Sequence, residues 1–150
     1  RWSALPAPFR RPRAQYTLAF AIWWIYAFSM TTLLLVEDEA ILQLEMRLEL
    51  QQRRKFKLVQ AFGAAEALEA AEKHRFDAAC VDIMLNGEAR GLEVAEALRS
   101  RWAIPVIFVS GNSDAATMSQ AMKVEPVGFL PKPVDYTLLT SMIKKAVDCD

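Results

Sequence analysis

Residues Thr32–Glu39 read TLLLVEDE: a threonine, four branched apolar side chains, then three consecutive acids. So short a run, apolar on successive residues, reads as a strand buried on both faces, as in parallel sheets. Working outward, four more runs of the same kind follow: Lys57–Ala61, Ala78–Asp82, Val106–Val109 and Val127–Leu130. Between them lie segments of helical period. Ile41, Leu44 and Leu48 share one face of the first helix, Leu68 and Ala71 one of the second, and Leu92, Ala95 and Leu98 one of the third. Leu139, Met142, Ile143 and Ala146 follow the i, i+3, i+4, i+7 spacing in the last. Asp114 is placed to cap a fourth helix over about 115–122, and Pro105 and Pro126 stand just before the fourth and fifth strands. Strands alternating with helices predict an α/β fold of right-handed βαβ units around a parallel sheet.

In such sheets ligands bind beyond the carboxyl ends of the strands, near the switch in strand order. The residues there are Glu37 and Asp38 after the first strand, Asp82 closing the third, Ser110 after the fourth and Lys132 after the fifth. Carboxylates crowded at one edge raise each other's proton affinity, and a hard divalent cation such as Mg²⁺ relieves the conflict. A carboxylate beside a metal and a lysine can attack phosphorus, with the ammonium and a serine hydroxyl steadying the phosphoryl oxygens. Singly, each residue has a plainer reading. The acidic run suits a helix N-terminus, Asp82 a turn, Ser110-Gly111-Asn112 a loop, and Lys132 between two prolines a surface position. Their joint placement at successive strand ends outweighs those readings.

The composition sets bounds. In 150 residues, 53% are hydrophobic and 24% charged, with 18 basic and 18 acidic side chains. That suits one folded domain. All four charges before Met30 are arginines, so residues 30–150 hold 14 basic to 18 acidic, a net −4. A mildly acidic body argues against direct nucleic-acid binding, which needs clustered Lys and Arg. Cys80 and Cys149 lie far apart, with no metal-ligand spacing, and point to a reducing compartment. Cys80 reads as core, and the lone His74 as a solvated helix-end residue.

Residues 1–29 do not share the pattern. An Arg- and Pro-rich start precedes an uncharged aromatic run, about 16–28. Three readings stay open: an upstream extension with Met30 as the true start, a membrane or export segment, and a docking helix. A span needs about 20 apolar residues, which this run reaches only by borrowing the first strand. The division is therefore a leader, 1–29, and a domain, 30–150.

LLLVEDEA at the first strand, VDIML around Asp82, IPVIFVSGN at the fourth strand and GFLPKP at the fifth resemble the receiver domains of two-component response regulators, over Thr31 to about Val147. The resemblance implies a doubly wound, flavodoxin-like sheet of five parallel strands, ordered 2-1-3-4-5, with five helices. It implies that Asp82 is the phosphoacceptor. Glu37, Asp38, Asp82 and the Met84 backbone carbonyl would hold Mg²⁺. Lys132, Ser110 and Gly111 would contact the phosphoryl group, with Pro133 as a candidate cis-proline. Ser110 and Phe129 would be the switch pair. Departures are Glu rather than Asp at the first acidic position, Phe at the switch aromatic, a longer loop after Asp82, and Arg90 where an acid is common.

The implied protein is not an enzyme. It is a cytoplasmic, single-domain regulator, phosphorylated by a sensor histidine kinase or phosphotransfer protein. Its protein target would dock on the fourth helix, fifth strand and fifth helix. Nothing after the fifth helix suggests an effector, and neither nucleic acid nor membrane is an expected partner. The alternative is a pseudo-receiver, an interaction module independent of phosphorylation, though such domains usually lose an acid, the acceptor or the lysine, all kept here. A phosphohydrolase of the haloacid-dehalogenase type would instead carry its nucleophile in a DxD pattern after the first strand.

Overall fold

A computed structural model describes residues 30–53, 56–111 and 114–148, with Leu18 alone upstream. The chain divides into two units, Arg1–Met30 and Thr31–Asp150. The second is described below, and the readings of the leader, like Cys149, lie outside the described residues.

Its elements are β1 Thr32–Val36, α1 Ala40–Arg53, β2 Lys57–Ala61, α2 Ala64–Lys73, β3 Ala78–Asp82, α3 Arg90–Trp102, β4 Val106–Ser110, α4 Ala115–Lys123, β5 Gly128–Pro131 and α5 Tyr136–Val147. The five strands form one sheet in the order β2-β1-β3-β4-β5, and every neighbouring pair is parallel. This is the doubly wound, flavodoxin-like topology that the motifs imply.

Alternation along each strand explains why apolar residues fill the strands without a break. Leu34, Val36, Val81 and Phe108 enter one core with Ala67 and Ala71 of α2, Val94, Ala95 and Leu98 of α3, and Ala121 of α4. Leu33, Leu35, Cys80, Ile107 and Val109 enter the other with Met46 and Leu50 of α1 and Leu139, Ile143 and Ala146 of α5. Cys80 is buried, and its burial pushes the thiol up to about 12, so it is an inert core residue.

Helix α1 departs from the expected stripe. Ile41, Leu44 and Leu48 do share a face, but they are exposed, whereas Gln43, Met46 and Leu50 are buried. Two stripes of helical period run side by side, and packing on Leu33 and Leu35 selects the one that contains a glutamine. Strand β4 runs one residue further than expected, through Ser110, and β5 is shifted by one. Ser110 pairs with Pro131, and the Lys132 N–H donates to the Ser110 carbonyl at 3.0 Å. Pro131 is tolerated because β5 is an edge strand. Asp114 caps α4 as expected, its carboxylate accepting from the Thr117 N–H. Asp135 caps α5 in the same way, accepting from Thr137 and Leu138.

Candidate functional site

Glu37 and Asp38 leave β1 at the carboxyl edge of the sheet, and Asp82 ends β3 beside them. Strands β1 and β3 are direct neighbours, so the two acidic segments must meet. One carboxylate oxygen from each of Glu37, Asp38 and Asp82 lies within 4.8 Å of the others. Glu37 and Asp82 are buried. Lys132 reaches them from the end of β5. Its Nζ is 2.6 Å from Asp82 Oδ2, a hydrogen bond, and 2.8 Å from Glu37 Oε2, an ion pair.

Backbone groups orient the acids. Asp82 Oδ1 accepts from the Met84 N–H at 3.0 Å, Glu37 Oε1 from the Glu39 N–H at 3.2 Å, and Asp38 Oδ2 from the Asn86 N–H at 2.8 Å. The last bond depends on the loop after Asp82. Asn86 and Gly87 both have positive φ, 53° and 78°, and Leu85 and Glu88 exchange two backbone hydrogen bonds across them. This is a two-residue turn of the kind that Asn-Gly favours, and it folds the longer loop back onto the acids. Arg90, at the start of α3, pairs with Glu88 at 2.6 Å, outside this cluster.

The charges are coupled. Burial pushes the Glu37 carboxyl above its ordinary value, the adjacent Lys132 ammonium opposing this and the Asp82 charge adding to it. Burial pulls Lys132 down, but its close pairing with Asp82 and Glu37 outweighs this and holds the ammonium above the ordinary lysine value. Three converging carboxylates balanced by one ammonium still carry excess negative charge. The all-oxygen donor set, open to solvent on the Asp38 side, fits a hard divalent cation such as Mg²⁺.

The remaining expected residues gather around this centre. Ser110 is half-buried. Gly111 follows it, and a Cβ there would lie 3.9 Å from Lys132 Cδ. Met84 is exposed. Phe129 is half-buried and stacks on Phe108, with ring centroids 5.4 Å apart. The Lys132–Pro133 peptide bond is cis.

Two supporting residues escaped sequence reasoning. Gly91, in the first turn of α3, packs against the Asp82 backbone so closely that a Cβ would fall 1.8 Å from the Asp82 carbonyl oxygen. A glycine inside a helical pattern was its only signal. Gln43, fully buried on α1, carries no signal in the sequence.

Comparison with known proteins agrees with this geometry. The family model for the response regulator receiver domain matches residues 33–144. The heme response regulator HssR of Staphylococcus saprophyticus is 30% identical over 115 residues, covering 77% of this chain and 50% of that protein. The transcriptional activator PfeR of Pseudomonas aeruginosa is 34% identical over 101 residues, covering 67% of this chain and 32% of that one. The chain thus spans about half the length of the first of these relatives, and less of the second. Among solved structures, the receiver domain of a modulated diguanylate cyclase from Desulfovibrio desulfuricans superposes with a TM-score of 0.74 at 32% identity, covering 79% of this chain and 94% of that one. A receiver protein from Pseudomonas putida gives 0.71 at 29%, covering 78% and 98%.

Proposed function

This chain belongs to the family of response regulator receiver domains, and from that premise we propose that Asp82 accepts a phosphoryl group in a Mg²⁺-dependent transfer that switches a protein-interaction surface. Receiver domains are signalling phosphoacceptors rather than enzymes, and they generally partner a histidine kinase. The observation that carries the proposal is the grip on Asp82: one oxygen held by the Met84 amide, the other by Lys132, with Glu37 and Asp38 alongside.

The donor would be a phosphohistidine of a sensor kinase or a phosphotransfer protein. Its P–N bond breaks with the electron pair leaving on the imidazole, and a bond forms from an Asp82 oxygen to phosphorus. Glu37, Asp38, Asp82 and the Met84 carbonyl would hold Mg²⁺, which when bound neutralises charge on the transferring group. Lys132 would move from its carboxylates to the phosphoryl oxygens, and Ser110 and the Gly111 amide would donate to them. Ser110 turning toward the phosphate would draw the Phe129 ring inward, altering the surface of α4, β5 and α5. Met122 of α4 and Leu138 of α5 are exposed and suit a protein target.

In this reading the unit acts as a single-domain regulator in the cytoplasm, with residues 1–29 as a separate leader before a receiver that begins at Met30. No helix among the described residues is long and apolar enough to cross a membrane.

The test is incubation of the full chain with Mg²⁺ and acetyl phosphate, followed by intact mass. We expect a phosphate-sized increase that Asp82→Asn abolishes without unfolding the protein, since the change is nearly isosteric. A folded wild type that gains no mass would favour the phosphorylation-independent module, and an Asp82→Asn variant labelled at the wild-type rate would remove the acceptor assignment.

A further inference from the structure

Among the described residues three polar side chains are buried: Glu37, Asp82 and Gln43. The first two belong to the acidic site, and the third projects from α1 beneath it. Gln43 Nε2 lies 2.7 Å from the Ala61 carbonyl and 3.0 Å from that of Glu37, with the Leu35 carbonyl at a marginal 3.4 Å. These three oxygens fix the amide's orientation, because turning it over would set its own oxygen against them. In the observed orientation Oε1 is buried without a hydrogen-bond partner among the described residues.

That arrangement is poor design for stability alone. A buried amide oxygen without a partner is destabilising, and the same stripe of α1 continues with apolar Met46 and Leu50. The Ala61 carbonyl already accepts from the Glu37 N–H at 3.1 Å. The Glu37 carbonyl, in contrast, has Gln43 as its only described partner. The distinctive work of Gln43 is therefore to hold the peptide group joining Glu37 to Asp38.

Resting on the receiver reading above, we propose that Gln43 is a positioning residue for the metal site, clamping the Glu37–Asp38 turn from below while the Asn86 amide holds the Asp38 carboxylate from the β3–α3 loop. The turn needs such a clamp because its carboxylates repel each other and Asp82. An untethered turn relaxes by letting them separate, and the cation must then gather them again. Groups that orient metal ligands through hydrogen bonds commonly shift metal affinity ten- to a hundredfold when removed.

The experiment is a Mg²⁺ titration of the ¹⁵N-labelled full chain, as wild type, Gln43→Met and Leu50→Ala, at a temperature where all three are folded. Methionine keeps the approximate volume and removes the donor. Leu50→Ala loosens the same face of α1 without touching the turn. We expect Gln43→Met to weaken Mg²⁺ binding by about tenfold and to speed amide exchange at Glu39 in the metal-free protein. Leu50→Ala should lower the melting temperature and leave the Mg²⁺ Kd within about twofold. A Gln43→Met Kd equal to wild type, or one matched by Leu50→Ala, overturns the proposal while leaving the receiver reading intact. A folded wild type that binds no Mg²⁺ overturns both.

If Gln43→Met does not fold, the wild-type side-chain amide decides. Slow exchange and a shift on Mg²⁺ addition support the clamp. Fast exchange, or a signal that Mg²⁺ leaves unmoved while the Asp82–Asn86 amides shift, rejects it.

Discussion

Replacing Gly91 with alanine separates helix propensity from tertiary contact, because the two effects have opposite signs here. Judged by propensity alone, Gly91→Ala in α3 should stabilise by about 1 kcal/mol. In the fold, the new Cβ would sit 1.8 Å from the Asp82 carbonyl oxygen and 2.8 Å from both the Asp82 carbonyl carbon and Ile83 Cα. Reaching even a 3.0 Å contact requires a retreat of about 1.2 Å from that oxygen. All three atoms are backbone, so no rotamer change relieves the clash. Either α3 moves outward, breaking the Gly91 N–H bond to the Ile83 carbonyl at 3.0 Å, or the end of β3 moves and takes Asp82 with it. Overpacking of this kind costs roughly 3 kcal/mol at the upper end of its usual range. Offset by propensity, the net loss is about 2 kcal/mol, or roughly 8 °C in melting temperature. Urea unfolding in EDTA measures it, with Gly63→Ala as the comparator, since a Cβ there meets nothing within 4 Å and loss of the glycine N-cap of α2 should cost no more than about 1 kcal/mol. Phosphorylation by acetyl phosphate should slow in Gly91→Ala, as Asp82 is displaced. A variant as stable as wild type and phosphorylated at the same rate would refute the close-contact reasoning.

Two further expectations follow from the charges. Lys132→Ala leaves Glu37 and Asp82 without their ammonium, which should lower metal-free stability by about 2 kcal/mol, below the usual range for a buried pair because Lys132 is partly exposed. Mg²⁺ binding should survive far better than in Asp38→Ala while phosphorylation no longer reaches the switch; a comparable loss of metal affinity in the two variants would contradict the division of roles. For Glu37, the folded carboxyl lies above its ordinary value of 4.5 because of burial, so the unfolded chain releases this proton first as pH rises. Its contribution to metal-free stability is therefore complete below the ordinary value and is lost as pH rises through the folded one. Glu37→Gln should flatten that fall above the ordinary carboxyl value in EDTA melting curves, and a variant with an unchanged pH profile would reject burial as the cause.

Much of the candidate site was legible because strand ends announce themselves. An apolar run that stops at an acid, a serine or a lysine marks the carboxyl edge of a buried strand, and Glu37, Asp38, Asp82 and Lys132 were each found that way. Supporting residues carry no such mark. Gly91 is defined by the backbone it touches, and Gln43 by carbonyls on two strands and on the turn after the first. Asn86-Gly87 is a dipeptide that favours a turn, but its use, directing an amide at Asp38, depends on a loop folding back across the sheet edge.

The sequence by itself determined the alternation of strands and helices, the motifs that pointed to the strand order, and which chemically active residues lie at the sheet edge. Those features follow from local periodicity and from motifs whose spacing is counted along the chain. Only the tertiary structure decided which of two apolar stripes on α1 faces the core, and so that Ile41, Leu44 and Leu48 meet solvent while Gln43 is buried. Helical period fixes which residues share a face, but not which face the sheet will cover. That choice is made by side chains on other strands, far away in sequence, and it brings an uncharged amide under the acidic turn.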